Sequence, residues 1–330
     1  MLGEGLCALE DEAVVVNTVA SWWMWLAFAG VVLVMMALDL GVFHRKAHAI
    51  GVKEATVWTL VWIAVALLFN VGIYALAGKE RGLEFLTGYI IEEALSVDNL
   101  FVFFVLFNYF AVPGHLQHRV LFWGIVGAIV SRGLFIFVGT ALISAFHWVI
   151  YVFGAFLIFT GLKILFGSGD KIEPDKNPAL RIARRFLPLS GCYDGQRFVT
   201  RRDARWLATP LLLVLVVIEA TDILFAVDSI PAVIAVTTDP FIVATSNIFA
   251  VLGLRALYFL IARVIERFRF LKVGLGIVLA YVGVKMVIGD YLKIPIEVSL
   301  MIVVGVLGLS ALASAFFAPE ADVGPDDEPK

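Results

Sequence analysis

IEEALSVDNLFVFF (91–104) and ATDILFAVDSIPAVIA (220–235) set charged side chains inside apolar runs long enough to cross a membrane. Aligning Val97-Asp98 with Val227-Asp228 puts Glu92 on Asp222 and Asn99 on Ser229, at an offset of 130. Further along, Arg132 answers to Arg255 at an offset of 123, and Gly161-Leu162-Lys163 answers to Gly283-Val284-Lys285 at 122. The order acid, acid, arginine, Gly-x-Lys therefore occurs twice. Each copy covers three apolar segments. Three is odd and consecutive spans alternate in direction, so the second copy is expected to run inverted to the first. Inverted repeats are characteristic of secondary transporters, with the substrate site where the halves meet.

Composition agrees with a membrane protein. Of the 330 residues, 61% are hydrophobic and 16% charged, and the mean hydropathy is +0.96. Soluble domains lie near ~45–50% apolar and ~25% charged. A disordered chain, a disulfide-built miniprotein and an ordinary soluble enzyme are excluded. The net charge of -3 speaks against nucleic acid as a partner, since that would call for a strongly basic face. Cys7 and Cys192 lie far apart without a CxxC, so neither a thiol metal site nor a redox motif is expected. MLGEGLCALEDEA lacks the positive start of a signal peptide, and the first apolar run is read as a span.

The fold expected is an all-α polytopic membrane protein. About nine transmembrane helices are read at 22–43, 56–77, 84–111, 119–143, 148–166, 208–235, 241–264, 271–289 and 296–317. The corresponding organisation is an acidic N-terminus (1–20), two peripheral helices (21–83), a first three-helix repeat (84–166) and a basic loop (167–207). A second repeat (208–289), a last helix (290–317) and an acidic, Pro-rich tail (318–330) follow, the tail read as disordered. HRKAH (44–48), HLQHR (115–119), RVIERFR (263–269) and the basic loop fall on one side if spans alternate. The positive-inside rule then puts the N-terminus outside and the C-terminus in the cytoplasm of a bacterial inner membrane. LRIARRF in the basic loop is read as a short surface helix touching anionic lipid. His44, His48, His115, His118 and His147 sit at loops or span ends and are read as interfacial.

The buried charges carry the functional argument. Glu92, Glu93, Asp98, Glu219, Asp222 and Asp228 lie at membrane depth with Arg132, Lys163, Arg255 and Lys285. Each costs roughly 2.5–3.5 kcal/mol at a helix centre if unpaired, so they must face one another, water or an ion. Six acids against four bases leave a charge of minus two. A divalent cation would neutralise it, as would two protons, because burial raises carboxyl pKa values. Those two states describe a cation/proton exchange site. Carboxylate, amide and hydroxyl oxygens suit Mg, Ca or Mn. The candidate ligands are Glu92, Asp98, Glu219, Asp222 and Asp228, supported by Glu93, Asn99, Ser229 and the four bases. At ~100° per residue, however, Glu92 and Asp98 point about 120° apart. One ion could touch all five acids only if the helices were broken, and Pro231 would permit a break in the second repeat; the first has Phe101 there.

EEALSVDNLFVF, FAVDSIPAV and the following TSNIFAVLGLRALYF (245–259) resemble the TerC family of bacterial integral membrane proteins, in its Alx-like subgroup. The resemblance covers about 20–317. It places the chain among LysE-type exporters and implies manganese efflux, metal loading of secreted proteins or, by family labels, redox modulation and tellurite resistance. The family's intramembrane acids fall on Glu92, Asp98, Glu219, Asp222 and Asp228. The leading expectation is a proton-coupled Mn2+ exporter that is not an enzyme and holds no tightly bound cofactor. Its partners are membrane lipid, the cation, protons and, in a metal-delivery role, the secretion machinery. The alternatives are such an assembly partner, a purely structural ion-pair network, and an intramembrane aspartyl protease using Asp98 and Asp228, although its GxGD motif is absent.

Overall fold

The computed structural model describes residues 18–43, 51–167, 178–202, 205–261 and 270–316. Ten helices and one hairpin follow in order: α1 (Trp22–Phe43), α2 (Val52–Ala77), α3 (Lys79–Tyr109), α4 (Gly114–Ala145), α5 (Val149–Phe166), α6 (Pro178–Phe186), β1 (Val199–Arg202), β2 (Arg205–Ala208), α7 (Pro210–Ile234), α8 (Pro240–Ile261), α9 (Leu271–Ile288) and α10 (Ile296–Phe316). All but α6 match the nine spans read from the sequence, making this an all-α polytopic membrane protein. Seven of the nine long helices are apolar enough to cross a bilayer by length and composition. The apolar part of α1 among the described residues, Trp22–Leu38, is shorter. The 31-residue α3 is long enough, but the sequence from Lys79 to Asp98 loads it with charge.

Helix ends sort to two faces as alternation requires. On one face the Tyr193 hydroxyl donates to the Phe110 carbonyl at 2.7 Å, and Arg119 donates to Gln196 at 3.0 Å. On the other, Arg81 reaches Thr237 at 3.4 Å, and the Tyr151 hydroxyl donates to Asp290 at 2.5 Å. His147 also meets Asp290, at 2.9 Å, and these two partners hold the Asp290 carboxyl below its ordinary range. Gly78 turns the chain from α2 into α3 with a φ of +94°, a conformation that glycine adopts without strain.

The repeats interlock. In the first, α3 packs on α8 of the second; reciprocally, α4 packs on α7, and α5 pairs with α9. The α5–α9 seam is glycine against glycine. A Cβ on Gly161 would fall 2.6 Å from the Gly276 carbonyl oxygen, and one on Gly283 would fall 2.7 Å from that of Gly154. The earlier glycine of one helix meets the later glycine of the other, so the two cross antiparallel. Since Gly154 answers to Gly276 and Gly161 to Gly283 at the offset of 122, the contacts exchange under a pseudo-two-fold, which is the inversion expected from the sequence. Small residues let membrane helices approach until their backbones touch.

At the centre lies α8, buried throughout its apolar window. Asp239 caps it: its Oδ1 accepts the Phe241 amide at 2.9 Å, with Pro240 supplying the first turn. Its Oδ2 accepts the Val19 amide at 2.7 Å and so ties down the segment before α1.

Two expectations need correction. Helix α7 runs unbroken through Pro231, which sits in its last turn and whose carbonyl accepts the Ala235 amide at 2.9 Å. The loop 167–207 holds more than a surface helix. Leu180 and Ala183 of α6 are buried while Arg181, Arg184 and Arg185 are exposed, and β1 pairs antiparallel with β2. There Arg201 stacks on its cross-strand partner Trp206, 5.7 Å from the ring centroid. The hairpin escaped notice because its arginines mask any alternation of apolar residues. The acidic residues 1–17, the basic stretches 44–48 and 263–269, residues 168–177 and the tail 318–330 lie outside the described residues.

Substituting Gly161→Val is expected to force α5 from α9 and cost about 1–3 kcal/mol, the usual range for overpacking. Asp239→Ala is expected to cost about 1–2 kcal/mol through the lost cap. Thermal unfolding in detergent, followed by tryptophan fluorescence, checks both; an unchanged midpoint for Gly161→Val would contradict the close seam.

Candidate functional site

Helix α4 carries Arg132 to the middle of the bundle, where its side chain is fully buried. Its Nε and Nη2 donate to the two Asp222 oxygens at 3.1 and 2.9 Å, a bidentate fork. Nη1 donates to Glu92 Oε1 and, at 3.4 Å, to Asn247 Oδ1. Helices α3 and α4 of the first repeat thus meet α7 and α8 of the second at one guanidinium. The TSN triplet fits the same junction. Thr245 and Ser246 return their hydroxyls to carbonyls one turn back, at 2.7 and 3.2 Å. Ser246 also packs on Gly88, where a Cβ would fall 2.9 Å from its hydroxyl.

Beyond this knot the polarity continues along α3. Glu92, Ser96 and Asn99 recur at helical spacing on one face. Ser96 Oγ and Asn99 Nδ2 are buried and make no hydrogen bond among the described residues, and Ser229, across on α7, is buried within reach of Glu92. This stripe leads into a cavity of about 450 Å³ lined by Asp98, Asn99, Lys163, Asp228, Ser229 and Lys272, with apolar side chains including Leu95 and Leu279. Asp98 and Asp228, equivalent in the two repeats, therefore share one cavity. Asp98 Oδ1 pairs with Lys272 Nζ at 3.0 Å. Lys163, from α5, is the charged neighbour of Asp228.

The other expected site residues are dispersed. Glu219 packs its carboxylate into the space that any side chain at Gly127 would fill, within electrostatic reach of Asp222. Glu93 has a buried Oε2 without a hydrogen bond among the described residues. Arg255, fully buried, lines a narrow crevice with Asp222. Lys285 sits at the opposite face, in a second cavity of about 470 Å³ with Glu80, Glu84 and Asp290. Since Lys163 and Lys285 are repeat equivalents, each face has a cavity carrying one of the pair. Leu279, lining the first cavity, and Ile234 and Met286, lining the second, belong to one apolar cluster.

With α3 and α7 unbroken at the acids, no single ion touches all five. Among the described residues, no three carboxylate, imidazole or thiol groups converge to hold a metal. The charge count also changes. Lys272, at the very start of the expected 271–289 span and not among the four bases counted from the sequence, brings the bases to five against six acids. Asn247 was visible in the sequence motif, but its partner was not.

Arg132→Met is expected to strand two buried carboxylates and cost about 3–5 kcal/mol, seen as loss of the monodisperse peak in fluorescence-detected gel filtration. Adding Glu92→Gln and Asp222→Asn to that variant is expected to recover part of the peak. No recovery would mean that charge pairing is not what holds this junction.

Residues 77–322 match the integral membrane protein TerC family. An uncharacterized membrane protein of Myxococcus xanthus is 51% identical over 313 residues, covering 95% of this chain and 98% of that one. A protein of Escherichia coli (strain K12), Alx, provisionally named a membrane-bound redox modulator, is 48% identical over 309 residues, 91% of this chain and 96% of its own. A further uncharacterized membrane protein, from Rickettsia felis, is 40% identical over 290 residues, 88% and 96% of the two chains. No solved structure matches. On the extent of these matches, the chain belongs to the TerC family of integral membrane proteins.

Proposed function

We propose that this protein carries a divalent cation across the bacterial inner membrane, with Asp98 and Asp228 as the carboxylates that receive it. One observation carries the reading: a single polar cavity takes one aspartate from each inverted repeat, each followed by its equivalent Asn99 or Ser229. The two cavities at opposite faces, both bordered by one apolar cluster, suit alternating access between the repeats. The carboxylate, amide and hydroxyl donors admit Mn2+, Mg2+ or Ca2+, and the family resemblance selects Mn2+ and export. The basic loops favour a cytoplasmic position for the face onto which α5 ends and from which α9 starts. Proton coupling would have to run through the lysines. Two aspartates and two lysines leave the cavity near neutral, so a doubly positive ion is balanced there only as the lysines withdraw or release their protons. No thiol is among the residues lining the cavity, so the redox name of the relatives draws no support from this site.

Cells expressing Asp98→Asn or Asp228→Asn are expected to lose relief from manganese excess while the variant stays in the membrane, with cell manganese measured by mass spectrometry. If both variants lower cell manganese as the parent does, the proposal fails. Proteoliposomes containing this protein alone separate a carrier from an assembly partner for secreted proteins: Mn2+ flux supports the carrier, and its absence with normal folding supports the partner.

A further inference from the structure

The two repeats differ at the cavity in a way that the pseudo-symmetry exposes. Phe101 stands where the second repeat has Pro231, at the offset of 130, and Lys272 stands where the first has Ile150, at the offset of 122. Ile150 lines the cavity at the opposite face. The two departures meet. Lys272 Nζ lies 4.8 Å from the centroid of the Phe101 ring while bonding Asp98 at 3.0 Å. One aromatic face and one carboxylate thus hold the same ammonium, and both belong to the last turns of α3.

From this we propose that Lys272 is a tethered competitor for the transported ion, occupying Asp98 until a metal displaces it. The inference rests on the cavity reading above and adds what governs occupancy. An ammonium on a four-carbon stem delivers one positive charge to Asp98 and can withdraw without moving the backbone. Its side chain is 54% exposed, so its release does not require opening the bundle. The Phe101 ring adds a cation–π attraction that a divalent ion, holding its oxygen ligands, does not use in the same way. The pair therefore sets a threshold: weakly binding monovalent ions fail to displace the lysine, whereas a divalent ion that gains Asp98 and Asp228 together succeeds. Ile150 provides no such charge at the other face, which makes the carrier asymmetric in how readily its two mouths take up metal.

The test is Mn2+ binding to purified protein in detergent, followed by the electron paramagnetic resonance signal of free Mn2+, at neutral pH and fixed ionic strength. Lys272→Gln is expected to bind Mn2+ about fivefold more tightly than the parent, as for removal of an ion pair of this exposure. Phe101→Leu should shift affinity in the same direction by less, Lys272→Arg should keep the parental value, and Asp98→Asn should bind weakly whether or not Lys272 is present. Equal or weaker binding by both Lys272→Gln and Phe101→Leu, with a parental gel-filtration profile, overturns the tether while leaving the cavity reading in place. Absence of binding in the parent and in Lys272→Gln alike overturns the cavity reading itself. Should Lys272→Gln fail to fold, Phe101→Leu decides the matter.

Discussion

A guanidinium at membrane depth cannot be left without counter-charge, and the architecture is arranged around that constraint at Arg132. Its four hydrogen bonds are divided among Asp222, Glu92 and Asn247, contributed by α7, α3 and α8. Arg132 itself stands on α4 and Glu92 on α3, both of the first repeat, whereas α7 and α8 belong to the second, so satisfying one side chain forces the two repeats to interlock. The two carboxylates also remove each other from any other employment. A metal competing for Glu92 or Asp222 would have to leave the arginine buried with one partner fewer, and an unpaired buried charge is among the costliest defects a fold can carry.

That division separates structure from chemistry over a short distance. Asp222 and Asp228 are less than two turns apart on α7, as are Glu92 and Asp98 on α3. The first of each pair faces the arginine, and the second reaches the cavity with Asn99 or Ser229 beside it. The stripe of Ser96, Asn99 and Ser229 between them is polar and buried, a setting in which a proton or a partly dehydrated ion finds hydroxyl and amide oxygens. The glycine seam of α5 and α9 borders the same region, so motion of one repeat against the other is felt directly by Lys163 and Lys272.

Much of this was legible in the sequence because membranes make charge conspicuous. The spans, their inversion and the order of the acids follow from apolar runs and from the offsets of 122 to 130. The angle between Glu92 and Asp98 was legible too, and the helices honour it instead of breaking. What the sequence concealed are contacts between helices far apart in the chain. Lys272, at the end of its expected span, looks like an interfacial charge until α9 brings it over Asp98. Gly154 and Gly276 look like ordinary membrane glycines until the backbones touch. Glu219 has no sequence neighbour that points to its seat on Gly127. The acids were countable, but their allocation depended on which bases the fold delivered to each.

The complete enclosure of α8 bears on how the protein is made. This helix ends with no lipid contact along its apolar window, yet it carries Asn247 and Arg255, side chains that a bilayer rejects. Its neighbours α2, α3, α4 and α7 all precede it in the chain. The helices that form its groove, Arg132 and Gly88 among their residues, are therefore synthesised before α8 emerges from the ribosome. That order allows its polar groups to meet protein partners directly, an opportunity that a circular rearrangement placing α8 first would remove.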